Sequence, residues 1–150
     1  MRAVVQRVTS AAVAVDGRES GRIGRGFLVL LGVEAGDNDD DLEWLAGKIH
    51  RLRIFPDAQG RMSLALGDIA GEVLVVSQFT LLASTAHGNR PDFLRAAKPD
   101  EARALYERFA VRLGELLGRS VPTGVFAADM AVSLLNDGPV TLVIDSRRRE

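Results

Sequence analysis

The segment Asn136-Asp137-Gly138-Pro139-Val140-Thr141 sets a proline straight after an Asp-Gly pair, between two apolar runs, Ala131 to Leu135 and Val140 to Ile144. Proline has no N–H to give to a ladder, so in a sheet it is confined to an edge, a bulge or the first residue of a strand. It also restricts the residue before it. An X-Pro bond is the one place where a cis peptide is accessible at little cost. Asp-Gly alone is a turn pair, and a hairpin turn is the simplest reading of this stretch. Pro139 fits that turn poorly, because it removes a ladder donor and narrows the freedom of Gly138.

The rest of the chain supplies the elements around this point. Val4 to Val15 alternates β-branched and polar residues and ends at Asp16-Gly17, a hairpin signal. Arg22 to Gly26 reads as turn, and Phe27-Leu28-Val29-Leu30-Leu31 reads as a strand buried on both faces. Asp37 to Asp41 opens a helix at its positive dipole end, with Leu42, Leu45, Ile49 and Leu52 as its apolar stripe. Glu72 to Leu82 is the next strand. Pro99 starts a second helix, whose face is Ala102, Leu105, Tyr106, Phe109, Leu113, Leu116 and Leu117, and Gly118 stops it. Val121 to Phe126, Ala131 to Leu135 and Val140 to Ile144 are expected as three closing strands. Strands, helix, strand, helix, strands is the order of an α+β domain with a largely antiparallel sheet. One domain over residues 1–150 is expected.

Composition narrows the chemistry. There is no cysteine, so disulfides, thiolate metal sites and cysteine nucleophiles are excluded, and a reducing cytosol is the expected setting. The start lacks the apolar block of a signal peptide, and no run approaches membrane-spanning length. A cytoplasmic protein without membrane contact is expected. The formal net charge of −1 argues against broad duplex binding but leaves room for a small footprint on the end of an RNA.

Three tempting motifs fail on spacing. Gly21 to Gly26 is not a dinucleotide loop, since a strand follows it. Asp37, Asp39 and Asp41 lack the glycine of a calcium loop, where Leu42 stands. Gly47-Lys48 lacks the partners of a phosphate-binding loop. The two histidines, His50 and His87, do not make a zinc set, so no metal is expected. A side-chain triad would need His87 as its base, oriented by a third group. Ser77-Gln78-Phe79-Thr80 reads two ways. As an ordinary strand it puts Phe79 in the core with polar neighbours outward. As a strand end opening on a pocket, it offers the Phe79 and Thr80 N–H groups to an oxyanion.

Ser77-Gln78-Phe79-Thr80-Leu81 and Asn136-Asp137-Gly138-Pro139-Val140-Thr141 together resemble the D-aminoacyl-tRNA deacylases. The likeness runs from Met1-Arg2-Ala3-Val4-Val5-Gln6-Arg7-Val8 to Asp145-Ser146. Leu52 to Phe55, Gly88 to Pro91, Leu105 to Phe109 and Met130 to Ser133 add to it. The resemblance implies a barrel-like core with two main helices and a homodimeric, cofactor-free hydrolase. Its substrate would be the ester joining a D-amino acid to the acceptor end of tRNA; DNA is not an expected partner. It also implies a catalytic pocket of Ser77, Gln78, Phe79 and Thr80, with Met130 beside it. A cis Gly138-Pro139 peptide would reach the partner's pocket to select chirality, held by Arg7, with Asn136 in the same loop. The RNA's terminal 2′-OH would assist the chemistry, with Thr80 as a nucleophile the runner-up. A pocket that works by exclusion should also admit glycyl-tRNA. Ser84, Ala86 and His87 depart from the family's usual pattern, as does Ala127, where a glycine is common. A nucleic-acid-binding module and a purely structural dimer are the alternatives.

Overall fold

The computed structural model describes residues 1–149. A long strand, β1 (Arg2–Val15), organises the sheet. It turns through Asp16 and Gly17, both at positive φ as a tight two-residue hairpin demands, into β2 (Arg18–Ile23). Strand β3 (Gly26–Gly32) then lies antiparallel along the first half of β1, from Arg2↔Gly32 to Val8↔Gly26, while β2 takes the second half. The expected turn is therefore shorter than Arg22 to Gly26, since Arg22 and Ile23 still pair with β1.

Helix α1 (Asp39–Arg51) starts one residue after Asn38, whose side chain accepts from the Asp40 and Asp41 N–H groups in a capping box. A small ribbon follows, β4 (Phe55–Pro56) with β5 (Met62–Leu64). The chain returns as β6 (Glu72–Ser77), parallel to β3. Helix α2 (Pro99–Leu117) has Pro99 at its start and Gly118 at φ 66 beyond its end. The last strand, β7 (Ala131–Asp145), runs antiparallel along nearly all of β1. The sheet is thus mixed but mainly antiparallel, curled into a half-barrel with the two helices on one face.

Packing follows the pattern of the strands. Phe27, Val29 and Leu31 of β3 face the helices, meeting Leu45 and Ile49 of α1 and Leu105, Phe109 and Leu113 of α2 in one core. Leu28 faces the opposite side of the sheet with Val8, Val13, Leu74 and Val76. The run Phe27 to Leu31 is apolar throughout because β3 is covered on both faces. Each such fully buried Leu or Phe contributes roughly 1.5–3 kcal/mol by leaving water. Phe27 stacks on Phe55 at 5.0 Å, which ties the ribbon to the core.

Three sequence expectations are corrected. The strand expected over Glu72 to Leu82 stops at Ser77, and Phe79–Leu82 forms a 3₁₀ turn. Val121 to Phe126 forms no strand: Pro122 and Gly124 interrupt it, leaving a single bridge from Thr123 to Val75. Ala131 to Leu135 and Val140 to Ile144 are one strand, not two. The Asp-Gly pair makes no hairpin. Gln6 pairs with Thr141 and Val8 with Asn136, so two steps along β1 oppose five along β7, and Asp137 to Val140 bulge outward. Among the described residues the outer edge of β7 pairs with no strand, so Pro139 costs the ladder nothing.

Candidate active site

The 3₁₀ turn begins where β6 leaves the sheet. Gln78 still donates its N–H to the Leu31 carbonyl at 2.8 Å, and the Leu81 N–H closes back on the Gln78 carbonyl at 3.2 Å. Phe79 and Thr80 lie between these bonds. As the opening residues of a helical turn, their N–H groups have no partner within it, and among the described residues they meet no acceptor. The alternation expected of a strand is lost here, and Phe79 is 57% exposed, outside the core. Its ring meets Phe93 edge-on at 5.0 Å.

This turn forms one lip of a cavity of about 510 Å³. Ser77, Gln78 and Phe79 line it, with Met130 across from them. Leu31, Val76, Tyr106 and Phe126 make much of its lining apolar or aromatic. Thr80 does not line it; its Oγ1 accepts a hydrogen bond from Gln78 Nε2. The Tyr106 hydroxyl donates to the Val75 carbonyl at 2.9 Å, and burial pushes its phenol up to about 12. It therefore stays a neutral, fixed donor at any physiological pH. Neither histidine lines the cavity. Among the described residues no group of three or more His, Asp and Glu side chains is placed to hold a metal.

The second motif is elsewhere. The Gly138-Pro139 peptide is cis, Gly138 has φ 146, and neither residue lines the cavity of its own chain. Gly138 is required there twice over. A Cβ would lie 2.7 Å from the Val140 nitrogen, and L side chains rarely adopt that φ. Arg7, only 8% exposed, reaches the bulge from β1. Its Nε donates to the Asp137 carbonyl at 2.9 Å and lies 3.3 Å from the Asp137 carboxylate, while Nη1 donates to the Ile54 carbonyl. Gln6 beside it accepts from the Thr141 hydroxyl at 3.3 Å. Asn136 opens the bulge, with its Oδ1 buried and without a partner among the described residues.

The expected residues thus separate: Ser77, Gln78, Phe79 and Met130 line a cavity that Thr80 does not reach, while Asn136, Gly138 and Pro139 stand on the free sheet edge, held by Arg7 from β1. Sequence reasoning missed the contribution of Tyr106, which it assigned to the core stripe of α2, and of Phe126, which it placed in a strand. The only signal was a phenol within an otherwise apolar stripe. Ala127 lines the cavity at φ 63, a conformation that favours glycine.

The chain is thus a half-barrel in which β6 ends at an apolar cavity and the edge strand β7 carries an inserted Gly-Pro bulge. A solved structure described as a probable eukaryotic D-amino acid tRNA deacylase shares the fold, with a TM-score of 0.81 at 19% identity over 96% of this chain and 98% of that one. The family profile for D-Tyr-tRNA(Tyr) deacylase matches residues 4–145, and the chain belongs to that family. A D-aminoacyl-tRNA deacylase of Opitutus terrae is 61% identical over 150 residues, covering 100% of both chains. The solved structure of the c-Myc DNA Unwinding Element Binding Protein is 41% identical, with a TM-score of 0.92 over 97% of this chain and 98% of that one.

Proposed function

We propose that this hydrolase cleaves the ester between a D-amino acid and the terminal ribose of tRNA, as a homodimer acting in the cytoplasm. Water adds its hydroxyl to the acyl carbon, and the ribose oxygen leaves with a proton as tRNA. The observation that carries the reading is the separation of the two motifs. The Ser77 to Thr80 turn borders a cavity, while Gly138 and Pro139, pinned by Arg7, stand on a free sheet edge away from it. A loop so placed is free to serve a cavity in another copy. The exposed Leu135 and Val143 on β7, 62% and 69% accessible, support a partner along that edge.

Selection then works by exclusion. An L-residue differs from its D form only in where the α-carbon substituents point, so discrimination needs a surface that does not yield. Main-chain atoms held by a buried guanidinium provide one, and a side-chain contact would be softer. Glycine has nothing to exclude, so glycyl-tRNA is a substrate too. The chemistry needs no protein nucleophile. The Thr80 hydroxyl is tied to Gln78 and has no base beside it, while the Phe79 and Thr80 N–H groups are open to a developing oxyanion. The neighbouring 2′-OH of the RNA is positioned by the same binding to assist.

Incubation with D-tyrosyl-, L-tyrosyl- and glycyl-tRNA tests the reading: rapid loss of the D and glycyl esters with the L ester intact is expected. Equal turnover of both enantiomers refutes selection. Thr80→Ala keeps most of the rate, and a D-aminoacyl-tRNA ending in 2′-deoxyadenosine loses most of it; the opposite pair of results makes Thr80 the nucleophile. The likeness to a protein described as binding a DNA element raises a second reading, a nucleic-acid-binding module. That reading requires steeply salt-dependent binding of uncharged nucleic acid and no ester cleavage.

A further inference from the structure

Five successive residues, Phe126 to Met130, line the cavity, and they sit in a span with little to hold it. Val75 of β6 anchors one end. Its N–H donates to the Pro122 carbonyl at 3.1 Å, and its carbonyl accepts from the Gly124 N–H at 3.0 Å. Ala131, paired with Ala14, anchors the other end. Between these points there is one main-chain bond among the described residues, from the Ala128 N–H to the Val125 carbonyl at 3.2 Å, and it only closes a turn within the span. A stretch with so few bonds to the fold opens at low cost unless side chains pin it.

Two side chains do so. Met130 packs against the cluster around Val8, Val13 and Leu28. It lies so close to Gly124 that a Cβ there would be 2.5 Å from its sulfur. Phe126, in mid-span, packs against the other core. Its ring centroid is 5.7 Å from that of Tyr106, and the Arg103 guanidinium lies 5.2 Å from it. Arg103 and Tyr106 are three residues apart on α2, so both reach Phe126 from one helix face. Tyr106 is only 3% exposed, and its hydroxyl donates to the Val75 carbonyl, the same oxygen that takes the Gly124 N–H. One ring, fixed at its tip to β6, therefore supports the middle of the lining.

Strand β6 does not need that bond, since it pairs with β3 from Gly26↔Glu72 to Leu31↔Ser77. The turn after it has braces of its own. Gln78 donates its N–H to the Leu31 carbonyl, and Arg2, paired with Asp145 at 2.9 Å, donates from Nη1 to the Leu81 carbonyl at 2.8 Å. Losing the Tyr106 hydroxyl would leave strand and turn in place and loosen the span. It would not orphan the Val75 carbonyl, which keeps Gly124.

We infer that Tyr106 is a positioning residue: through Phe126 it fixes the stretch of lining, Phe126 to Met130, against which the aminoacyl-adenosine end of the substrate is bound. The inference rests on the proposed deacylase reading and divides its labour. The turn serves the reacting ester, and the lining serves affinity. A loosened span must be ordered again each time substrate binds, so the loss falls on KM and spares kcat. Burial keeps the phenol protonated up to about 12, so the brace holds throughout the range of an assay.

The test is a double-mutant cycle of Tyr106→Leu and Phe126→Leu. It is read in steady-state kinetics on D-tyrosyl-tRNA and in binding of the uncleavable amide analogue of D-tyrosyl-adenosine. Tyr106→Phe keeps the ring and loses only the hydroxyl, which covers the case of a leucine variant that does not fold; denaturant melts report stability separately. Tyr106→Phe is expected to raise KM and the analogue's Kd about threefold, within the range of one ordinary hydrogen bond, with kcat changed less than about twofold. Tyr106→Leu and Phe126→Leu should each raise both constants about tenfold, and the double variant should be no worse than the worse single one, because the two rings act as a unit. Effects that multiply in the double variant overturn the inference, since Tyr106 then does not act through Phe126. So does a fall in kcat at unchanged KM, which places its effect on the turn. So does a lowered melting temperature with KM and Kd unchanged, which leaves Tyr106 a core residue only. If wild type cleaves no D-tyrosyl ester, the deacylase reading fails while the analogue's Kd still decides this inference; an analogue that wild type does not bind overturns it as well.

Discussion

Arg7 shows how a single side chain defines the sheet edge. Its guanidinium is almost fully buried and holds the Asp137 and Ile54 carbonyls together with the Asp137 carboxylate. Hydrogen bonds to a charged group contribute about 1.5–3 kcal/mol each where water is excluded. Arg7→Ala is expected to cost about 2–3 kcal/mol of stability in denaturant melts. Its larger effect falls on the ratio of D to L hydrolysis, because the bulge is no longer held. Arg7→Lys keeps the charge but not the fork, and falls between. Ala127 works in the other direction. At φ 63 an alanine bears about 1–2 kcal/mol of left-handed strain that glycine avoids. Ala127→Gly is therefore expected to raise the melting temperature or leave it level, the gain being offset in part by chain entropy. It also removes a methyl from the cavity lining, so bulky D-aminoacyl-tRNAs gain more rate than small ones. Identical rate profiles for the two enzymes would contradict this.

At the scale of elements, the sequence was read well where local chemistry and tertiary packing agree. Asp16-Gly17 marks a real hairpin, Asp37 to Asp41 a real helix start, and Pro99 and Gly118 real ends of α2. The run Phe27 to Leu31 revealed its double burial. Reading failed where long-range pairing overrides a local signal. Asp137-Gly138 looks like a hairpin turn, yet β1 is long enough to pair on both sides of it, so the chain bulges and continues. Phe79 looks like a core residue because strand alternation was carried one turn too far. The four residues of the Ser77 to Thr80 motif were legible only through their family likeness; nothing in their spacing shows that two N–H groups are left open.

The turn itself is braced by an ion pair whose strength depends on pH. Burial alone would raise the Asp145 carboxyl, but the Arg147 N–H and the Arg2 guanidinium more than offset it and hold it below the ordinary carboxylate range. A carboxyl lowered on folding adds stability that is fully present above its unfolded value, about 3.9, and is lost as pH falls through the folded value. The stability gap between wild type and Asp145→Asn is therefore expected to be widest near neutral pH and to close as pH falls below the ordinary carboxylate range, through the lowered folded value. A gap independent of pH would mean that Arg2 is held at Leu81 without help from Asp145.

The whole molecule is a half-barrel with one long strand edge left open. Among the described residues β7 pairs with no strand on its outer side, where Leu134, Leu135 and Val143 are exposed. Such an edge associates unless it is blunted, and here the bulge at Asp137 to Val140 is what interrupts it. A two-fold partner would meet the same edge, so each copy would both lend a loop and receive one. Among the described residues no helix is long and apolar enough to cross a membrane. If Gly138 and Pro139 act on the cavity of the other copy, mixed dimers will reveal it. Phe79→Pro removes an N–H at a helical first position that tolerates proline; Gly138→Ala spoils the loop. Each variant alone should be defective, the first in rate and the second in selectivity. Mixing them after dissociation should restore D-selective hydrolysis at one site per heterodimer, where an intact cavity meets an intact loop. Mixtures that never exceed the sum of the separate variants would contradict the account.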